Sequence, residues 1–228
     1  LRESTRASLD HSAELIDRWH GTAGDRLRYA YAPRFVLSCT DELLREVGAQ
    51  AKARGVRIHT HASENRGEVA LVRERFAKDN IVVLDELGLL GPHTCIAHGV
   101  HLTPEEHRLL AERGAHICTC PSSNLKLASG IAQVPELLAA GVAVALGADG
   151  APCNNNLDGF EELRLLALLH KPRVGPRALP APECVKIATL AGAAAIGQAD
   201  RIGSLELGKR GDVIAVDVTP LHTVPAAS

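Results

Sequence analysis

Short apolar runs rich in β-branched residues alternate with longer amphipathic stretches over the first 150 residues, and this alternation limits the possible folds most strongly. The runs predict five β-strands, at residues 27–35, 56–61, 94–98, 115–120 and 142–149. Strands that alternate with helices form βαβ units, and these build a parallel sheet. The sequence therefore predicts an α/β protein, either an open doubly wound sheet or a (β/α)8 barrel.

Helix signals lie between and after the predicted strands. Thr40 precedes an acidic first turn, and Thr103 is followed by a proline and two glutamates, as at helix N-termini. Amphipathic patterns continue to residue 196, and no Gly-rich phosphate loop follows any strand, which disfavours a nucleotide-binding open sheet. Residues 202–218 form a turn-rich segment that predicts a separate small β element. We therefore predict an α/β region at residues 1–200, either a barrel or an open sheet, and a second unit at residues 201–228.

Composition excludes several functional classes. The formal net charge is −2 and no basic block is present, so the electrostatic footprint of a nucleic-acid-binding protein is missing. No apolar run approaches the ~20 residues that a membrane-spanning helix needs. Six cysteines form no CxxC pair, which is typical of reduced thiols in a cytoplasmic protein. The sequence begins at Leu1 and contains no methionine, so we expect it to be part of a longer chain.

Polar residues stand where four of the five predicted strands end. They are Arg34, His61 with Glu64 three residues later, His98 and Asp149. In a parallel barrel the carboxyl ends of all strands open on one face, where active sites are built. These five side chains are therefore expected to converge, although Asp149 in LGADGAP also fits a turn-forming Asp before Gly, and Arg34 also fits an ordinary surface arginine.

Histidine nitrogen and aspartate oxygen are normal ligands of catalytic zinc or iron, which leave one coordination position open for water. Such a metal lowers the pKa of water from ~15.7 towards ~7, so that hydroxide becomes available at neutral pH. Glu64 follows the strand that carries His61 and is placed to move a proton. The sequence thus indicates a hydrolytic centre with one divalent metal ion, zinc or iron, with zinc preferred.

Four motifs in this order resemble the amidohydrolase superfamily: HTHASE, AHGVHL, CPSSNLKLASG and GADGAPCNNNLDGFEELR. They are most similar to the branch of guanine deaminases, thiomethyladenosine and adenosylhomocysteine deaminases, and triazine chlorohydrolases. The resemblance extends over residues 26–218. It implies a (β/α)8 barrel with a small β-sandwich, of which this chain contains part at its C-terminus.

The resemblance also implies roles for the strand-end residues. His61 and Asp149 would bind the metal, and Asp149 would also take a proton from the attacking water. Glu64 would shuttle a proton, His98 would contact the attacking water or the substrate, and Arg34 would anchor a purine. Around Arg34 the sequence resembles guanine deaminases, whereas around Asp149 it resembles triazine and adenosine-type enzymes, so the substrate stays open within small heterocycles.

One departure from the family concerns the first barrel strand, whose HxH pair supplies two metal ligands. His59-Thr60-His61 has that spelling but stands where the fifth strand belongs, so the five strands count as numbers four to eight. We expect a deaminase that releases ammonia from a purine- or pterin-like ring. A triazine chlorohydrolase or aminohydrolase, and a non-catalytic fragment without the HxH ligands, are the alternatives. A homo-oligomer is compatible with the resemblance.

Overall fold

The computed structural model describes residues 3–217, and a five-stranded parallel sheet forms the centre of this part. The strands lie side by side in chain order. Their bounds are β1 (Ala30–Tyr31), β2 (Arg57–Ala62), β3 (Thr94–His98), β4 (His116–Thr119) and β5 (Ala143–Leu146). All neighbouring pairs are parallel. An α/β protein with five βα units is therefore confirmed, and closure into an eight-stranded barrel stays a prediction.

Helices connect the strands and follow the last one. They are α1 (Thr5–Trp19), α2 (Thr22–Asp25), α3 (Asp41–Arg54), α4 (Arg66–Phe76), α5 (Asn80–Glu86), α6 (Pro104–Arg113), α7 (Pro121–Lys126), α8 (Val134–Ala139), α9 (Ala151–Asn154), α10 (Gly159–Leu169), α11 (Lys171–Val174), α12 (Ala181–Lys186) and α13 (Gly192–Ala195). A 3-10 turn covers Val36–Ser38, and a π-helical turn joins α12 to α13 at Ile187–Ala191. No helix within residues 3–217 is long and apolar enough to cross a membrane.

The helix boundaries follow the capping signals of the sequence. The Thr40 side chain accepts a hydrogen bond from the Leu43 amide, so α3 begins at the next residue. Thr103 and Glu106 form a reciprocal capping box at the start of α6. Gly114 ends α6 with a φ of 67°, a left-handed conformation that glycine adopts without steric cost. Both predicted helix starts are thus confirmed.

The two faces of the sheet differ in polarity, because side chains alternate along each strand. On β2 the buried face carries Ile58, Thr60 and Ala62, which belong to or adjoin the core under the helices. The opposite face carries His59 and His61, which are less buried. The two histidines therefore share one face of the strand, and this face leads to the candidate site.

The strands at the two edges of the sheet are shorter than expected. β1 covers two residues of the predicted 27–35, and Pro33 cannot donate a backbone hydrogen bond further along. β5 ends at Leu146, so Asp149 lies three residues beyond the strand rather than in it. Three further residues therefore carry Asp149 away from the sheet ladder, and its position depends on loop contacts.

The expected β element at residues 202–218 has no strand over residues 202–217 of the structure, and residue 218 lies outside the described part. A strand needs a hydrogen-bonded partner, and no described segment pairs with this one. Five of its apolar side chains are more than half exposed, namely those of Leu205, Leu207, Val213, Ile214 and Val216. The small β-sandwich and the division at residues 200 and 201 therefore stay predictions, and residues 218–228 of that unit lie outside the description.

Four histidines have a buried ring nitrogen without a hydrogen-bond partner, namely His93, His107, His116 and His170. Burial lowers the pKa of each below the ordinary value of 6.5. The unfolded chain therefore binds more protons than the folded chain once the pH falls below 6.5. As a result, the free energy of unfolding decreases as the pH falls. We expect the thermal unfolding temperature to decrease as the pH is lowered from about 7 to about 5, a range above the ordinary pKa values of Asp and Glu. Burial raises the pKa of Glu106, which acts in the opposite direction, but this is one group against four histidines.

A pH series of thermal unfolding by circular dichroism measures this effect. His107→Gln removes one protonatable ring and is expected to weaken the dependence on pH. An unfolding midpoint that stays constant from about pH 7 to about pH 5 would contradict the prediction.

Candidate active site

Three of the expected site residues meet at the carboxyl end of the sheet. His61 lies near the end of β2 and His98 is the last residue of β3. Their ring centroids are 5.4 Å apart, with a tilt of 32° between the planes. The Asp149 carboxylate interacts electrostatically with both imidazoles. Groups that are remote in the sequence therefore share one mouth, as the strand-end pattern predicted.

The imidazole of His61 is oriented by the backbone that follows β1. Its Nδ1 lies 2.8 Å from the carbonyl oxygen of Arg34, and the His61 amide donates to the same oxygen over 3.0 Å. A carbonyl oxygen can only accept, so Nδ1 carries the proton in the neutral ring. The Nε2 atom then keeps its lone pair and can bind a metal.

His98 is buried and held by an amide side chain. Its Nδ1 lies 2.8 Å from Oδ1 of Asn124, and only 1% of the residue is exposed. Its Nε2 faces Oε2 of Glu64 at 3.8 Å, beyond a direct hydrogen bond. The backbone of His98 has a φ of 73°, a left-handed conformation that costs free energy in a non-glycine residue. Surrounding contacts must therefore hold it in place.

Glu64 stands in the loop after β2, and a second glutamate shapes that loop. The buried Glu68 carboxylate accepts hydrogen bonds from the amides of Ser63 and Glu64, at 3.1 and 2.8 Å. The Ser129 hydroxyl donates to Oε1 of Glu64 over 3.4 Å. The Glu64 side chain remains partly accessible. Glu68 therefore satisfies the loop backbone, so the Glu64 carboxylate is not needed for that task.

Asp149 is held through both carboxylate oxygens. The Ser123 hydroxyl donates to Oδ2 over 2.5 Å, and the Gly150 amide donates to Oδ1 over 2.6 Å. Burial raises the pKa of Asp149, but these two hydrogen bonds and the imidazoles of His98 and His61 together lower it below its ordinary value. The carboxylate is therefore ionised at neutral pH, as a ligand or a base requires.

The donor atoms of the site are of the kinds that bind a catalytic divalent metal, but there are fewer of them than such a metal usually has. Nε2 of His61 and the carboxylate of Asp149 are donors that zinc accepts, and a catalytic zinc usually has three protein ligands. Within residues 3–217 no group of three or more His, Cys, Asp or Glu residues is arranged to hold a metal. This part of the chain therefore offers two donors of the expected type.

Arg34 contributes to the site through its backbone. Its carbonyl oxygen accepts from His61 and, over 3.3 Å, from the Thr60 hydroxyl. Arg34 also lines a cavity of about 620 Å³ together with residues of α1 and the 36–43 region. The guanidinium has no hydrogen-bond or ion-pair partner among residues 3–217 and is free to meet a ligand.

The strand-end pattern missed the side chains that support the site after β4. Ser123, Asn124 and Ser129 each contact one expected site residue, and Glu162 accepts from the Ser122 amide. A signal was present, because CPSSNLKLASG places a serine pair and an asparagine directly after the fourth strand. Hydroxyl and amide groups at a strand end could have been considered as positioning groups.

Nearly the whole chain is similar to proteins that are named for their activity. A 5-methylthioadenosine/S-adenosylhomocysteine deaminase of Moorella thermoacetica is 43% identical over 226 residues, which are 99% of this chain and 53% of that protein. The zinc-bound structure of an adenosine deaminase from Xanthomonas campestris matches with a TM-score of 0.91 at 37% identity, over 96% of this chain and 50% of that one.

Two further solved structures extend the comparison. Escherichia coli guanine deaminase matches with a TM-score of 0.86 at 30% identity, over 92% of this chain and 49% of its own. Atrazine chlorohydrolase from Arthrobacter aurescens TC1, complexed with zinc, matches with a TM-score of 0.92 at 27% identity, over 99% of this chain and 50% of its own. The chain thus spans about half the length of the relatives it matches.

The family model of the amidohydrolases matches residues 2–227. The motifs of the sequence, the five βα units and the solved structures agree with this match, so the resemblance inferred from the motifs is confirmed. The chain belongs to the amidohydrolase family.

Proposed function

We propose that the protein takes part in hydrolytic deamination, in which an exocyclic amino group on a purine- or pterin-like heterocycle is replaced by oxygen and ammonia is released. The observation that carries this proposal is the meeting of His61, His98 and Asp149 at one sheet end, with Glu64 facing His98 at 3.8 Å. Deaminases of purine nucleosides and of guanine among the relatives support the substrate class.

The metal would be held by Nε2 of His61 and by the Asp149 carboxylate. When bound, a divalent ion, zinc in the first place and iron as the other possibility, lowers the pKa of a coordinated water and makes a nucleophile available at neutral pH. These are two protein ligands, one fewer than a catalytic zinc usually has, so the proposal requires at least one further donor.

Asp149, Glu64 and His98 would manage the protons of the reaction. Asp149 takes a proton from the attacking water, whose oxygen forms a bond to the ring carbon that bears the amino group. Glu64 gives its proton to the adjacent ring nitrogen, and His98 hydrogen-bonds to the attacking oxygen. Asp149 then returns its proton to the departing nitrogen, which leaves as ammonia when the carbon–nitrogen bond breaks. The attacking oxygen gives its remaining proton back to Glu64 as the carbonyl forms. One water and one substrate molecule are consumed, and one molecule each of the oxo product and ammonia is formed.

Arg34 would bind the heterocycle. Its guanidinium is planar and presents paired N–H donors, which match a carbonyl and a ring nitrogen side by side. The guanidinium has no partner among the described residues, so binding such a ring would not require an existing ion pair to break. This proposal concerns the ring and leaves its substituents open.

Replacement of Glu64 by Gln tests the proton shuttle. Gln has almost the same shape but cannot give or take a proton, so we expect kcat to fall by about 10²-fold or more while the metal content is unchanged. Steady-state ammonia release and elemental analysis measure the two quantities. Glu74→Gln, a substitution of the same kind on α4, serves as the matched control. Equal kcat for Glu64→Gln and wild type would exclude the proposed role.

Two other functions compete with deamination of a purine. The match to atrazine chlorohydrolase favours a triazine chlorohydrolase or aminohydrolase, which uses the same water chemistry on another ring. The shortage of metal ligands within residues 3–217 favours a non-catalytic fragment. Elemental analysis of the purified protein, with ammonia and chloride measured against guanine, adenosine and chlorotriazine substrates, separates all three. Bound metal with ammonia from a purine supports the proposal, chloride release supports the second function, and absence of both metal and turnover supports the third.

A further inference from the structure

We propose that the segment 121–130 is the positioning element of the active site, in which Ser123 and Asn124 orient Asp149 and His98. The inference deepens the proposed function and rests on it. Adjacent residues in the middle of α7 hold two catalytic groups, one at the end of β3 and the other in the loop after β5. Ser123 donates to Oδ2 of Asp149 over 2.5 Å, and Asn124 accepts at 2.8 Å from Nδ1 of His98.

The same segment also contacts the third catalytic group. The Ser129 hydroxyl donates to Oε1 of Glu64 over 3.4 Å, while the Ser129 carbonyl oxygen lies 2.7 Å from Nε2 of His101. Gly130 and Ser129 donate their amides back to the Asn124 carbonyl, which closes the segment on itself. Asp149, His98 and Glu64 are therefore linked through a single stretch of ten residues.

Burial supports a fixed position for the two orienting residues of the segment. Ser123 is fully buried and Asn124 is 2% exposed. The start of the segment is tied by Glu162, which is 1% exposed and accepts from the Ser122 amide over 3.0 Å. The other oxygen of Glu162 accepts from Asn154 over 2.7 Å, and Asn154 also donates to the Ala148 carbonyl beside Asp149. Glu162 thus locks the segment against the loop that carries Asp149.

The two contacts act on the chemistry in different ways. Oδ1 of Asn124 accepts a hydrogen bond, so the proton of neutral His98 resides on Nδ1 and the lone pair of Nε2 points towards Glu64. The Ser123 hydroxyl fixes the rotamer of Asp149, whose backbone has a strained φ of 63°. One residue would set the tautomer of His98, and its neighbour would set the direction of the Asp149 carboxylate.

Adjacent serines provide a matched experiment for the first contact. Ser122 and Ser123 can each be replaced by Ala, but the hydroxyl of Ser123 alone bonds to Asp149. We expect Ser123→Ala to lower kcat by about 10- to 100-fold with KM within about twofold, as for other groups that orient an active site. Ser122→Ala keeps the backbone amide that donates to Glu162 and removes a hydroxyl that contacts none of Asp149, His98 and Glu64, so this variant is expected to match wild type. Equal kcat for the two variants overturns the role of Ser123.

The second contact is tested without turnover, by long-range ¹H–¹⁵N correlation spectra that report which ring nitrogen is protonated. The His98 signals are recognised by their absence in His98→Gln. We expect pure Nδ1–H for wild type and for Asn124→Asp, whose carboxylate still accepts the bond, and a mixture of tautomers for Asn124→Leu. Persistence of pure Nδ1–H in Asn124→Leu overturns the role of Asn124.

The two kinds of measurement keep the two proposals apart. If wild type releases no ammonia from any purine, the proposed function fails, while the tautomer of His98 still decides the role of Asn124. If Asn124→Leu does not fold, Asn124→Ser removes most of the side chain with a smaller change in volume and replaces it in the same spectra. A mixed tautomer in that variant supports the inference, and pure Nδ1–H overturns it.

Discussion

Replacement of Asp149 by Asn is expected to lower kcat for deamination by at least ~10³-fold, because the amide cannot take the proton of the attacking water. Asp149 is well suited to that task in its surroundings. Its carboxylate is ionised at neutral pH, since the hydrogen bonds from Ser123 and Gly150 and the imidazoles of His98 and His61 outweigh the effect of burial on its pKa. Asn keeps the shape and one oxygen but loses the negative charge.

Elemental analysis beside the kinetics separates the two roles of Asp149. A loss of turnover with the metal retained identifies the residue as the base, and a loss of both identifies it as a ligand as well. Asp158→Asn is the matched control, because Asp158 caps α10 through its side chain and Asn caps a helix equally well. Turnover of Asp149→Asn within about tenfold of wild type would show that another group is the base.

The sheet could be predicted because its strands carry strong local signals. β3 covers the expected residues 94–98, and β2 and β4 are displaced from the expected bounds by one residue at their ends. Because these three strands are central in the sheet, their Ile-rich face is buried. Apolar runs of this kind are typical of parallel strands. β1 and β5 lie at the edges of the described sheet, where fewer ladder hydrogen bonds fix the ends, and both were predicted too long.

The meeting of His61, His98 and Asp149 could also be predicted, since parallel strands open on one face whatever the loops do. The side chain of Arg34 lines a separate cavity, so its expected place beside them stays a prediction. The sequence could not show how each group is oriented. His61 depends on the backbone carbonyl of Arg34, which carries no side-chain signal. His98 depends on Asn124, which lies 26 residues away and reaches it through the fold after β4. Strand periodicity places a residue on a face, and only tertiary packing places its hydrogen-bond partner.

Three buried glutamates show what the remaining polar core does. Glu68 satisfies the amides beside Glu64, and Glu162 joins the Ser122 amide to Asn154. Glu106 accepts from the Ile81 amide and from Thr103. Buried carboxylates persist where several donors meet them. Two of the three therefore support loops of the candidate site.

Replacement of His61 by Ala is expected to weaken metal binding by at least ~100-fold, the upper end of the loss seen when a residue that only supports a ligand is removed. The Nδ1 proton of His61 is directed to the Arg34 carbonyl, which leaves Nε2 as the donor towards the metal. Equilibrium dialysis with zinc measures the affinity directly and does not depend on turnover.

His59→Ala is the decisive comparison, because the two histidines lie two residues apart on the same face of β2, with ring centroids 5.7 Å apart. Burial, followed by the nearby imidazoles of His61 and His98, lowers the pKa of His59. His59 lies two residues further than His61 from the carboxyl end of β2, so we expect His59→Ala to retain zinc. If both variants lost zinc equally, His59-Thr60-His61 would bind the metal as a pair, and the count of strands from four to eight would have to be abandoned.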